Sequence, residues 1–126
     1  MSYKTPMGLA RGLGSAGTGT HHWWQHRVSS VALIPLTVLA IFPFAGALGE
    51  DHANVIQVYA NPFNAIVAIL FLAVTFHHLM QGLQVVIEDY VHQKGWRTGL
   101  LLGNQMFCGA FGLAGVFAVL KIALTA

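Results

Sequence analysis

Residues 63–91 read FNAIVAILFLAVTFHHLMQGLQVVIEDYV, and no charged side chain interrupts them before Glu88. A bilayer hydrocarbon core of about 30 Å is crossed by about 20 apolar residues in helical form. This stretch exceeds that length, so a helix here must tilt or protrude. Asn61-Pro62, just before it, reads as a turn and a helix start, because Pro is tolerated in a first helical turn. Two further charge-free runs flank the stretch, from Val28 to Gly49 and from Thr98 to Leu120. The pattern predicts an all-α, three-helix transmembrane bundle with helices over residues 28–48, 63–91 and 98–124.

The rest of the composition agrees. Only 8% of the 126 residues are charged, against about 25% in a soluble domain. Six Lys/Arg and four Asp/Glu cannot cover a soluble core of this size. The length suits one domain, residues 1–126. The net charge of +2 is small and the Lys/Arg are not clustered, so no nucleic-acid footprint exists. Cys108 is the single cysteine and forms no intrachain disulfide; a small apolar packing role is expected. Residues 1–20 hold five Gly and lack the apolar run of a signal peptide, and read as a flexible cytoplasmic arm.

Orientation follows from the basic residues. With three spans, Lys4, Arg11, Arg27, Lys94 and Arg97 fall on one side and Lys121 on the other, which places the N-terminus in the cytoplasm. HHWWQHR (21–27) precedes the first span as a polar-aromatic stretch, with Trp23 and Trp24 at headgroup depth. Pro35 and Pro43 predict a kink in that span. Gly49 to His52 forms the first loop, residues 53–61 a short interfacial stretch, and Gly95 a stop after the second span. Gly103, Gly109, Gly112 and Gly115, with Ala110, Ala114 and Ala118, read as close helix packing in the third.

Chemistry concentrates in the second span. His77 and His78 are ionisable residues at membrane depth, and such residues default to function. His78 and Asp89 are eleven residues apart, about three turns and about 16 Å, so they share one face, with His78 near the bilayer midplane. Gly82, one turn from His78, removes the side chain that would collide with a flat macrocycle. A neutral imidazole there suits a haem iron; a histidine hydrogen-bonded to a neighbouring helix is the equal alternative. Only one histidine is so placed, and a bis-histidine haem needs a second from a partner. Asp89-Tyr90 sets a carboxylate and a phenol at the interface, able to serve a quinone or to form an ordinary aromatic belt. Arg27, beside His21, His22 and His26, can pair with haem propionates or act as a positive-inside anchor.

The pattern H-x3-G-x6-D-Y, here His78, Gly82, Asp89 and Tyr90, together with H-x5-R before Ser29 and Ser30 (His21, Arg27), resembles the hydrophobic membrane anchor subunits of succinate dehydrogenase. The likeness covers the whole chain. It implies the D-type anchor, because Gly82-Leu83-Gln84-Val85 stands where the cytochrome b556-type partner carries G-x-R-H. It implies that His78 is an axial ligand of a haem b shared with that partner, that Tyr90 and Asp89 line the ubiquinone pocket, and that Arg27 with His21 or His22 lies near the propionates. His77 is rotated about 100° from His78, so both cannot face one iron.

The resemblance further implies partners: the b556-type anchor, an iron–sulfur subunit and a flavoprotein subunit, in the bacterial inner membrane rather than the mitochondrial one. Flavin motif, Cys cluster and phosphate loop are all missing from this sequence, so the chain is no enzyme by itself. Three other readings remain at this stage. One is a structural anchor without haem, another a fumarate reductase anchor, whose direction its partners set. The third, a proton channel through His77, His78 and Asp89, lacks the internal repeat expected of a transporter.

Overall fold

A computed structural model describes residues 5–12 and 19–125 of the chain. Five helices follow one another: α1 (Pro6–Arg11), α2 (Gly19–Ala47), α3 (His52–Ala60), α4 (Pro62–Tyr90) and α5 (Lys94–Thr125). Among the described residues there is no strand. α2, α4 and α5 are each long and apolar enough to cross a membrane, so the expected all-α architecture with three spans is the one adopted.

Local chemistry starts and stops these helices. Asn61 caps α4: its Oδ1 accepts from the backbone N–H of Phe63 at 3.0 Å and of Asn64 at 3.4 Å, and Pro62 occupies the first turn, where a missing N–H costs nothing. Asp51 caps α3 by accepting from the Asn54 N–H at 3.0 Å. Gly49 makes the preceding turn with φ +82°, a left-handed conformation that side chains disfavour.

Three expected boundaries move. α2 begins at Gly19, not near residue 28, and takes HHWWQHR into the helix. Polar residues mark where a helix leaves the lipid, not where it ends: a helix satisfies its own backbone at any depth, and neither Pro nor Gly interrupts residues 20–34. Gly95 does not stop a helix but sits in the first turn of α5; the break falls at residues 91–93, with Val91 extended (φ −101°, ψ 100°). Residues 53–61 contribute a two-turn helix, α3. α2 runs unbroken through Pro35 and Pro43. The expected flexible arm (residues 1–20) lies largely outside the described residues, at 1–4 and 13–18; within it α1 is helical.

α4 is the central helix. It packs along α5 on one side and along α2 on the other, and among the described residues α2 and α5 do not meet. α3 touches all three long helices and closes the end where α2 and α5 finish and α4 begins. The opposite end gathers the start of α2, the end of α4 and the start of α5. The buried apolar core is small (Ala65, Val67 and Cys108), while Ile34, Phe42, Leu113 and Phe117 face outward. In lipid an apolar exterior carries no penalty, so helix contacts rest on packing and polar bonds.

Candidate functional site

The buried polar side chains are Ser29, Gln81 and Asn104, one from each long helix. Two of them gather around His78. Ser29 Oγ lies 2.9 Å from His78 Nδ1, 2.9 Å from the His26 carbonyl and 3.3 Å from Gln81 Oε1. The ring of His26 stacks on that of His78, with centroids 4.6 Å apart and planes 32° from parallel. His22, His26 and Ser29 recur at i, i+4 and i+7, which turns all three toward one side of α2. On α4, His78 and Gln81 share the side that meets α2 by the same rule.

The hydrogen-bond inventory favours one tautomer. A serine hydroxyl has one proton and its oxygen can also accept. The His26 carbonyl and Gln81 Oε1 can only accept, so the hydroxyl proton goes toward these oxygens and away from His78. Ser29 Oγ then accepts from Nδ1–H of His78, and Nε2 keeps its lone pair. Among the described residues no hydrogen bond engages that Nε2. A neutral imidazole with Nδ1–H held by an acceptor and Nε2 free is the form that ligates metals. Gly82, about 40° around the helix from His78, has nothing within 4 Å of where a Cβ would stand. An imidazole with one free nitrogen and an open glycine one turn along the same helix fit a flat macrocycle, so these residues suit one axial ligand of a haem.

His77 stands apart. It is exposed and points into a groove lined by Trp24, Gln25, Val28 and Ala73, on another side of α4. The remaining expected site residues are not assembled around His78 within this chain. Arg27 is exposed, with its guanidinium carbon 5.1 Å from the Trp23 ring centroid. His21 is exposed and pairs with Gln25 at 2.8 Å. His22 has its Nε2 buried with no hydrogen-bond partner among the described residues. Asp89 and Tyr90 end α4 on the surface, Tyr90 being 78% exposed. Sequence reasoning did not single out His26 or Gln81, and noted Ser29 only as a small hydroxyl residue. The i, i+4, i+7 polar spacing in α2 was the available signal.

The α4–α5 seam has a different chemistry. A Cβ on Gly112 would sit 3.1 Å from Phe76 Cβ, and one on Gly115 would sit 3.3 Å from Leu72 Cδ1. Asn104 Nδ2 donates to the Met80 carbonyl at 2.8 Å, and Cys108 Sγ lies 3.4 Å from Asn104 Oδ1. The close packing expected of the small residues holds for Gly112 and Gly115. Gly103 and Gly109 meet nothing, and Ala110, Ala114 and Ala118 face outward.

Comparison with known proteins gives one consistent answer. Residues 1–119 match the model of the succinate dehydrogenase/fumarate reductase transmembrane subunit family. A succinate dehydrogenase hydrophobic membrane anchor subunit from Paracoccus denitrificans is 36% identical over 126 residues, covering 100% of this chain and 97% of the relative. One from Rickettsia conorii is 32% identical over 108 residues, 84% of this chain and 85% of the relative. No solved structure matches significantly. With three apolar spans and a match along its length, the chain belongs to the hydrophobic membrane anchor subunits of succinate dehydrogenase, the non-catalytic membrane part of that complex.

Proposed function

We propose that this anchor supplies, through His78, one axial ligand of a b-type haem shared with a second, cytochrome b556-type anchor subunit, and that Tyr90 and Asp89 form part of the ubiquinone-reduction site. The observation that carries the reading is the Ser29–His78 hydrogen bond at Nδ1, which leaves Nε2 available, with Gly82 open one turn along the helix. When bound, the haem supplies one-electron storage close to the quinone. Tyr90, exposed at the end of α4, is free to donate its phenol hydrogen to a quinone carbonyl, and Asp89 on the His78 face exchanges protons with water. His22, with an unpaired buried Nε2, is a better propionate partner than the solvent-facing His21, and Arg27 adds the cation.

The iron–sulfur and flavoprotein subunits deliver electrons from succinate oxidation to this membrane face. Five basic residues on that side against Lys121 on the other support a cytoplasmic orientation for it, in a bacterial inner membrane. The test is a reduced-minus-oxidised visible spectrum of the complex purified with its native partners. His78→Ala is expected to abolish the six-coordinate b-type signal and His77→Ala to leave it. A normal signal in His78→Ala, or no haem in the wild type, leaves an anchor without haem.

A further inference from the structure

We propose that Ser29 is the positioning residue for the metal-binding nitrogen of His78, acting through the other ring nitrogen and never touching the iron. The inference rests on His78 being the haem ligand.

Ser29 and His78 are 49 residues apart, on different helices, so no local geometry forces their 2.9 Å contact. Ser29 is buried, as is Gln81 on its far side, and water does not compete for the hydroxyl. Two acceptor-only oxygens, the His26 carbonyl and Gln81 Oε1, draw the single hydroxyl proton. Ser29 is thereby an acceptor toward His78, which fixes the Nδ1–H form. In the opposite tautomer the hydroxyl would have to abandon both oxygens and donate to Nδ1, and Nε2 would carry a hydrogen and lose its ligating lone pair. The stacked ring of His26 hinders rotation of the imidazole about its own bond. Together they set which nitrogen faces outward and in which plane. An acceptor on the distal N–H also raises the basicity of the ligating nitrogen. A more basic ligand favours ferric iron and holds the haem potential down.

Ser30 provides a matched control. Its hydroxyl also bonds the His26 carbonyl at 2.9 Å, yet has no contact with His78. In the complete haem-loaded complex, Ser29→Ala is expected to raise the haem midpoint potential and to release haem about 10-fold or more readily, the usual cost of removing a partner behind a metal ligand. Ser29→Thr, which keeps the hydroxyl, should restore both properties, and Ser30→Ala should change neither. Should Ser29→Ala fail to assemble, Ser29→Cys keeps the volume but offers only a weak acceptor, and the same upward shift is expected. A potential and haem retention equal to wild type in Ser29→Ala, or in Ser29→Cys, overturns the proposal, provided that His78→Ala loses the signal. A signal that survives His78→Ala overturns the ligand assignment itself, and this inference with it.

Discussion

α4 meets its two neighbours by opposite means. Against α5 the seam is close and largely apolar: Phe76 and Leu72 press into the backbone at Gly112 and Gly115, with one polar bond from Asn104 to the Met80 carbonyl. Against α2 the seam carries His26, Ser29, His78 and Gln81 in mutual contact. In lipid, helices gain little by hiding apolar surface from one another, so a pair is held by close backbone approach or by polar bonds. The chain uses the first device where it needs only cohesion. It relies mainly on the second at the seam that holds His78. On this division, a change in the α5 seam is expected to alter stability without disturbing the histidine, and one in the α2 seam to disturb both.

The largest way to break this comparison is Gly112→Leu. A Cβ alone would come within 3.1 Å of Phe76 Cβ, an atom close to the backbone that cannot swing aside. Overpacking of this kind costs about 1–3 kcal/mol. The expected result is a lower thermal midpoint of the purified complex, with a haem spectrum unchanged in the material that still assembles. Spectral loss in step with stability would show that the two seams are coupled.

Tyr90→Phe sharpens the comparison from the other side, because Tyr90 belongs to neither seam. Losing one hydrogen bond to quinone is worth about 1 kcal/mol. Quinone reduction is expected to weaken by about 5-fold, with thermal midpoint and haem spectrum both retained. Undiminished quinone reduction would remove Tyr90 from the site. The smallest effect belongs to Asn104→Ala. The Met80 carbonyl lies inside α4, where the helix supplies it with a second donor. Membrane hydrogen bonds between helices average about 0.6 kcal/mol. A thermal midpoint lowered far beyond that size would mean that the α5 seam, too, depends on a polar centre.

Much of this was legible in the sequence, and the parts that were not share a cause. The Asn61-Pro62 start, the Gly49 turn and the three apolar runs are local signals, and each appears where the residues place it. The start of α2 was misread by nine residues, because hydropathy reports immersion in lipid and the helix extends beyond it. The spacing from Gly82 and Asp89 singles out His78 as a candidate ligand. His26 and Gln81 were not legible: one imidazole among the five that precede His78, and one amide among several, look alike until a partner helix selects a face. The alanines of α5 were read as contact residues by spacing alone, yet the spacing exists on every face and α4 takes only the one holding Gly112.

The sequence by itself determined that this is an all-α membrane protein with three spans, and which of its helices carries the ionisable residues at depth. Both are one-dimensional properties: lipid demands that each span satisfy its own backbone hydrogen bonds, so a long charge-free run has no structure open to it but a helix. Only the tertiary structure decided that α4 is central, that α2 and α5 stay apart, and that Ser29 meets His78. Those outcomes depend on the rotation of each helix about its axis and on the close packing that fixes it. A turn of about 100°, the step from one residue to the next, would have set a different side chain against the histidine.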